Sequence, residues 1–163
     1  MFGLFRKKPN VDTSIADART LVASGNLQGA LTIYDGLVRA YPESAEAHAD
    51  RGTALAMSGN TTAAIADLKK AISLGYNHSS VYASLATAQM QEGDVQGAIA
   101  NFGAAAALDQ ENALIYYNRA NLFAKLGDHE AARRDLECCL RLGPDANFET
   151  AIRGKLSALP TVS

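Results

Sequence analysis

The sequence predicts an all-α solenoid of four 34-residue helix–turn–helix repeats, closed by a further helix. The first observation is a glycine that recurs at constant spacing and is always followed by Asn or Asp. The second is an alanine at a fixed distance after each glycine, with a bulky apolar residue one helical turn later. The third is helical spacing of apolar residues on both sides of each glycine. The glycines are Gly25, Gly59, Gly93 and Gly127.

The repeats are predicted at residues 11–44, 45–78, 79–112 and 113–146. The glycine can adopt a left-handed helix-ending conformation, and the Asn or Asp after it can cap the next helix. Small residues are expected where the two helices of a repeat cross, because only small side chains allow a close approach. These small residues are Ala30, Ala64, Ala98 and Ala132 on the second helices, and Ala18, Gly52, Ala86 and Ala120 on the first helices.

A terminal amphipathic helix is predicted at residues 147–159, with residues 160–163 as a tail. Phe148, Ile152, Leu156 and Leu159 share one face of this helix, and Pro160 marks its end. Repeat arrays need such an end element with a polar outer side, which indicates a capping helix. The alternative is a latch that occupies the groove or contacts a second copy.

Composition excludes several classes of protein. The chain has 163 residues, 48% of them hydrophobic and 20% charged, which indicates a soluble folded chain rather than a disordered one. Its net charge of −2 and its lack of Trp argue against nucleic-acid binding. No apolar run approaches the ~20 residues that span a bilayer. The adjacent Cys138 and Cys139 are expected to be free thiols of a reducing compartment, so a cytoplasmic location is predicted.

The N-terminal arm, residues 1–10, is predicted to be disordered or to contact a membrane. Its apolar residues precede its basic ones, which is the reverse of a secretory signal. An apolar group next to basic residues suits weak contact with an anionic surface, such as the inner face of a membrane. Packing against the first repeat is the alternative. The candidate membrane-contact residues are Phe2, Leu4, Phe5, Arg6, Lys7 and Lys8.

The repeat pattern resembles the tetratricopeptide repeat (TPR) family over residues 11–146. An aromatic residue near the start of the first helix is matched by Tyr82 and Tyr116, and the proline after the second helix by Pro42 and Pro144. His48 stands at the aromatic position of repeat 2, where partial burial is expected. The first helix departs most, with Ser14 and Asp17 where apolar residues are usual, so it is predicted to be a worn or fraying end.

The resemblance implies a right-handed α-solenoid whose concave groove is lined by first helices. Among the implied lining residues, Tyr117 is the candidate anchor, and the amides of Asn118 and Asn121 suit the backbone of a bound peptide. Ile15 and Ala49 are also implied as lining. The groove residues predicted to bind a partner are Arg19, Asp50, Thr53, Met57, Ser84, Thr87, Met90, Tyr117, Asn118, Asn121 and Lys125.

Two features of the charge distribution restrict the class of partner that we expect. One subgroup of the family clamps the carboxylates of chaperone tails, but Asp50 stands at a clamp position here and would repel them. Residues 71–118 contain no Lys or Arg, and the acids of repeat 3 stand at turns and helix starts. Helix capping explains those acids, and a docking patch for a basic partner is the alternative.

The predicted function is non-enzymatic binding of a peptide or helix of another protein, as an adaptor or scaffold. No His pair, Gly-rich phosphate loop or nucleophile elbow occurs, so no catalytic residue, metal or cofactor is predicted. Nucleic acid is not an expected partner. The alternatives are a self-assembling structural scaffold and a peripheral membrane adaptor that uses the N-terminal arm.

Overall fold

The computed structural model describes residues 10–160, and nine α-helices make up the regular structure of that range. Four helix–turn–helix pairs are followed by one terminal helix, which confirms the predicted all-α repeat fold. The helices are α1 (Val11–Ala23), α2 (Leu27–Ala40), α3 (Ala45–Met57), α4 (Thr61–Ser73), α5 (Ser79–Glu92), α6 (Val95–Leu108), α7 (Ala113–Lys125), α8 (His129–Arg141) and α9 (Ala146–Ala158).

The chain divides into two compact units. Unit 1 runs from Met1 to Asn77 and contains α1–α4. Unit 2 runs from His78 to Ser163 and contains α5–α9. Each unit therefore holds two helix–turn–helix pairs, and unit 2 also holds the terminal helix.

The turns inside the repeats have the backbone that the recurring glycine predicts. Gly25, Gly59, Gly93 and Gly127 have φ between 79° and 86°, in the left-handed region that favours glycine. Where the next residue is Asn26, Asp94 or Asp128, its side chain accepts a bond from a backbone N–H in the first turn of the following helix. Asn60 makes no such side-chain bond.

The ends of the second helices alternate between two forms. Helices α4 and α8 are followed by Gly75 and Gly143, which also have positive φ. Helices α2 and α6 are instead followed by Tyr41 and Asp109, with φ of −136° and −143°. Each unit thus contains one helix end of each kind.

In the core of each unit, small residues meet bulky ones, as predicted. In unit 1, Ala18, Ala30 and Tyr34 are buried in one cluster, and a Cβ built on Gly52 would lie 2.7 Å from Cγ of Leu68. In unit 2, the buried residues fall in two clusters, one around α5–α7 and one that joins α7 and α8 to α9. The two clusters include Ala86, Ala98, Phe102, Ala120, Leu136 and Ile152.

Three expectations need correction or fall outside the described residues. Helix α1 is a full 13-residue helix whose first turn is capped by Asn10, so the predicted worn first helix is wrong. Ile15 and Ala49 are each only 2% exposed and belong to the core rather than to a groove lining. The candidate membrane-contact residues, Phe2 to Lys8, lie outside the described residues. Within residues 10–160, none of the helices has the length and apolar character needed to cross a membrane.

Candidate functional site

The predicted groove residues lie on the first helices of both units. We call those of unit 1 the unit 1 face: Arg19, Asp50, Thr53 and Met57, on α1 and α3. We call those of unit 2 the unit 2 face: Ser84, Thr87, Met90, Tyr117, Asn118, Asn121 and Lys125, on α5 and α7. Each face is a candidate surface of its own unit.

The unit 1 face is dominated by ion pairs within the chain. Arg19 on α1 donates from Nε to Asp50 Oδ2 over 2.7 Å, and from Nη2 to Glu46 Oε1 over 2.8 Å. The bond to Asp50 is the main cause that raises the pKa of Arg19. Burial raises the pKa of the Asp50 carboxyl, although Arg19 opposes that shift. The strongest charges of this face are therefore paired with one another, while Met57 is 57% exposed.

The unit 2 face carries mainly uncharged polar groups. Thr87 donates its hydroxyl to the carbonyl of Ala83, so this side chain is engaged by its own helix. Asn118 and Asn121 are half-buried, and their amides make no hydrogen bond to any described residue. Met90 packs partly against the core cluster, which leaves less of it for a partner than the sequence predicts.

Tyr117, the predicted anchor, contacts the terminal helix. Its ring and that of Phe148 on α9 form an edge-to-face pair, with centroids 5.0 Å apart and planes at 70°. The ammonium of Lys155, also on α9, lies 5.4 Å from the centre of the same ring. Tyr117 is thus half-buried by contacts within unit 2 and offers a partner only part of its surface.

A surface cleft lies beside this contact, between α7, α8 and α9. Its volume is about 170 Å³. We call it the α9 cleft, and its lining consists of Ala120, Asn121, Ala124, Leu136, Lys155, Ala158 and Leu159. Of the predicted groove residues, Asn121 is the one that belongs to both the unit 2 face and this cleft.

Two buried Arg–Asp pairs were not predicted from the sequence. Arg51 makes two bonds to the Asp67 carboxylate, at 2.5 and 2.8 Å, and Arg119 makes two bonds to Asp135, at 2.7 and 2.8 Å. Asp67 and Asp135 are each only 6% exposed. The available signal was an Arg on a first helix and an Asp on the second helix of the same repeat, a combination that returns at the same separation two repeats later.

The two pairs have different surroundings. In unit 1, Nδ1 of His48 lies 2.9 Å from Asp67 Oδ1, and its Nε2 donates to the carbonyl of Pro42 over 2.9 Å. His48 is only 7% exposed, so the expected partial burial is in fact almost complete. In unit 2, the guanidinium of Arg119 instead lies against aromatic rings, 5.5 Å from the centre of Tyr116 and 6.0 Å from that of Phe123.

An amide network replaces the ion pair in repeat 3. Asn101 donates to Gln89 Oε1 over 2.6 Å, and Gln89 donates to Asp94 Oδ2 over 2.6 Å. Asp94 also accepts from the backbone N–H of Gly97, which is the capping role expected for this acid. This network of repeat 3 therefore consists of two neutral amides and one capping carboxylate.

The described residues offer little for metal or thiol chemistry. Residues 10–160 contain no group of three or more His, Cys, Asp or Glu side chains that could hold a metal ion. Both cysteines are free, and Cys139 is buried with Sγ 3.2 Å from the carbonyl of Ala113. Burial raises the pKa of Cys139 to about 12, which keeps it a thiol at neutral pH.

Family models described as tetratricopeptide repeat match residues 15–77 and 113–145, and one described as TPR repeat matches residues 86–127. The search of curated proteins gave no match.

Several solved structures share the fold. The crystal structure of MamA is 25% identical, with a TM-score of 0.71, covering 78% of this chain and 74% of that chain. TTC0263, a thermophilic TPR protein of Thermus thermophilus, is 20% identical, with a TM-score of 0.74 and coverage of 92% and 81%. A chain of the APC/C hetero-tetramer Cut9–Hcn1 is 23% identical, with a TM-score of 0.75 and coverage of 88% and 29%.

Proposed function

Because this chain belongs to the tetratricopeptide repeat family, we propose that it is an interaction scaffold whose unit 2 face binds a segment of another protein. Proteins of this family are in general non-enzymatic interaction modules. One of the similar structures is a subunit of a hetero-tetramer, which supports a role in a larger assembly. The bound segment would be an extended peptide or a helix.

The observation that carries the proposal is the pair of unpartnered amides on α7. Asn118 and Asn121 are separated by about one helical turn, so their side chains are neighbours on the helix surface. Each amide can donate and accept, and neither has a partner among the described residues. A bound backbone offers both carbonyls and N–H groups, so it can satisfy both amides.

The unit 1 face is a weaker candidate for the same role. Arg19, Asp50 and Glu46 already satisfy one another, and a ligand that drew one of them away would leave a partly buried charge unpaired. Thr53 is half-buried and donates its hydroxyl to the carbonyl of Ala49. Among the predicted residues of this face, Met57 remains the most exposed contact for a partner.

The test is partner capture followed by a measured affinity. The intact chain would be compared with a double variant, Asn118→Ala with Asn121→Ala, and with a matched control, Gln96→Ala with Asn147→Ala. Both control residues are exposed amides outside the unit 2 face, on α6 and α9. Equal melting temperatures of the three proteins would show that the folds are intact.

The proposal expects the double variant to lose at least tenfold in affinity for the captured partner, with the control unchanged. An affinity equal in all three proteins would overturn the assignment to the unit 2 face. Capture of the chain itself, and of nothing else, would instead support the self-assembling scaffold.

A further inference from the structure

We propose that the α9 cleft receives one aromatic or branched apolar side chain of the bound segment, and that its rim binds a carboxylate next to that side chain. This inference rests on the proposed function, because it assigns the chemistry of the segment that the unit 2 face would hold. The proposed ligand is therefore an acidic peptide segment with an apolar anchor.

The size of the cleft fits one such side chain. Its volume of about 170 Å³ is close to the ~150 Å³ of an apolar protein cavity that holds one benzene molecule. Leu136 and Ala120, which contribute to its lining, are 2% and 1% exposed. Alanines from two helices, Ala124 on α7 and Ala158 on α9, line it as well, and their short side chains leave the space open. A phenylalanine or leucine side chain would fill this space and displace water from apolar surface.

The positive charges around the cleft favour an acidic residue next to the apolar anchor of the ligand. Lys155 lines the cleft, and neither it nor Lys125 forms an ion pair with any described residue. Glu149, an acid on the same helix as Lys155, is already bound to Arg153 over 2.7 Å. A ligand carboxylate could therefore pair with Lys125 or Lys155 without displacing an acid of this chain from either ammonium group.

The contact with Tyr117 holds Lys155 in place. The ammonium lies 5.4 Å from the ring centre, and cation–π contacts of this kind are worth about 0.5–1 kcal/mol at exposed sites. The ammonium is thus positioned before a ligand arrives, which lowers the entropy cost of forming an ion pair with it.

Asn121 connects the cleft with the unit 2 face. It lines the cleft, and Lys125 lies one helical turn later on the same side of α7. A segment whose backbone bonds to Asn118 and Asn121 can therefore insert one side chain beside α9. The carboxylate of the preceding or following residue would then face Lys125 or Lys155.

The probes are three blocked pentapeptides of equal length. The first, acetyl-Gly-Glu-Phe-Glu-Gly-amide, carries the apolar anchor and two carboxylates. The second replaces both Glu by Lys, and the third replaces Phe by Ala. Each would be titrated into the full ¹⁵N-labelled chain, with amide shifts followed by NMR.

The variants separate the cleft from general charge effects. Lys155→Glu reverses the charge at the rim, and Ala124→Leu reduces the volume of the cleft. Lys69→Glu is the matched control, because it changes net charge equally at an exposed lysine of α4, in unit 1. Lys155 is itself exposed, so its variant remains informative even if Ala124→Leu fails to fold.

The proposal expects the Glu-Phe-Glu peptide to shift the amides of Asn121, Ala124 and Ala158, with at least tenfold weaker binding of the other two peptides. Lys155→Glu should reduce that affinity at least tenfold, whereas Lys69→Glu should leave it within twofold. Equal binding of the Glu and Lys peptides would overturn the proposal.

Two further outcomes would also overturn it and leave the proposed function standing. One is a set of shifts confined to the amides around Asn118 and Thr87, which would place the peptide on the unit 2 face but outside the cleft. The other is a shift of the cleft amides with protein concentration and no peptide, which would identify a second copy as the occupant. Conversely, cleft binding with no loss in an Asn118→Ala variant, whose changed residue lies outside the cleft lining, would overturn the backbone-binding role of the unit 2 face and leave the cleft assignment standing.

Discussion

The two units share a buried Arg–Asp pair at the same repeat position but support it by different means. In unit 1, the Asp67 carboxylate contacts both Arg51 and His48, and Arg51 also bonds to Asp35 over 3.0 Å. In unit 2, Asp135 bonds to Arg119, whose guanidinium also lies near two aromatic rings. A buried carboxylate can therefore be held in one repeat by an arginine and a histidine, and in another by one arginine that also lies against aromatic rings.

The candidate surfaces of the two units also differ in how far their polar side chains are bonded within the chain. The unit 1 face pairs its charges internally, whereas the unit 2 face offers amides without partners in the described part of the chain. The terminal helix also belongs to unit 2, where it forms a cleft with α7 and α8. Of the two surfaces, the unit 2 face has more amide groups that bond to no described residue and so can bond to a ligand.

The largest expected effect comes from removing the shared carboxylates. Asp67→Ala should lower the free energy of unfolding by about 3–5 kcal/mol, because Arg51 loses two bonds and the buried His48 loses one, which leaves Arg51 only the exposed Asp35. Asp135→Ala should cost less, because Arg119 keeps its contacts with Tyr116 and Phe123. Urea unfolding of both variants measures the difference.

Asp35→Ala is the control for this pair of variants. Asp35 bonds to the same arginine as Asp67, but its side chain is 57% exposed, so its loss should cost only about 0–1 kcal/mol. Equal losses for Asp67→Ala and Asp135→Ala would show that the rings add nothing to the pair in unit 2.

The second effect concerns the close helix crossing in unit 1. Gly52→Ala would place a Cβ 2.7 Å from Cγ of Leu68, which is fully buried. Overpacking should outweigh the gain in helix propensity, so we expect a net loss of about 1–2 kcal/mol. In unit 2, the buried Ala120 occupies the equivalent position, so the loss would measure how much tighter the crossing in unit 1 is.

Gly36→Ala is the matched control for Gly52→Ala. A Cβ at Gly36, within α2, would meet nothing within 4 Å. The alanine should therefore stabilise unit 1 by about 0.5–1 kcal/mol through helix propensity alone. If thermal unfolding showed the same gain at Gly52, the tight crossing would be refuted.

The third effect tests the contact that is particular to unit 2. Edge-to-face ring pairs contribute about 0.5–1.5 kcal/mol beyond the burial of the rings, and Phe148 also packs against the core cluster. Phe148→Ala should therefore accelerate amide exchange in α9 by at least roughly two- to twelvefold. Exchange in α1–α4 should not change. The exposed Leu114, on α7, provides a control as Leu114→Ala. Unchanged exchange in α9 would mean that Ile152 and its neighbours hold this helix without the ring pair.

The smallest effect is a pH dependence on the unit 1 face. Burial raises the pKa of Asp50 above its unfolded value of about 3.9, with Arg19 and Glu46 as its charged neighbours. The folded state therefore binds the proton more tightly, and this carboxyl favours folding more as pH falls from 7 towards 4. The stability of the natural chain relative to Asp50→Asn should rise over that range. A constant or falling difference in urea titrations would contradict the assigned shift.

The sequence predicts the helices and turns well because their signals are local. The glycine of each turn, the cap after it and the alanines of the crossing all act within one repeat, so the repeat period is enough to place them. The prediction for α1 is wrong because it takes the polar Ser14 and Asp17 as evidence against a regular helix. The helix forms nevertheless, with Asn10 as its cap and Ile15 and Ala18 in the core.

The candidate site was harder to predict because its contacts join distant parts of the chain. Tyr117 and Phe148 were both identified from the sequence, but on separate elements, and no spacing rule brings their rings together. Arg51 and Asp67 were missed because charged residues in an amphipathic pattern are normally assigned to solvent. Whether the residues of the unit 2 face bind a partner stays a prediction for the variants above.

The two kinds of helix end have a consequence for how such a chain can change in length. A left-handed glycine follows α4 and α8 but not α2 and α6, so the smallest element that returns with all its helix ends is a pair of repeats. The buried Arg–Asp pair returns with the same interval, as Arg51–Asp67 and Arg119–Asp135. Insertion or deletion of a single repeat would place two repeats of the same kind next to each other and interrupt both alternations. Duplication of a whole two-repeat module would preserve the alternation of helix ends and the spacing of the ion pairs. The two-repeat module, rather than the single repeat, is therefore the unit whose duplication leaves this pattern intact.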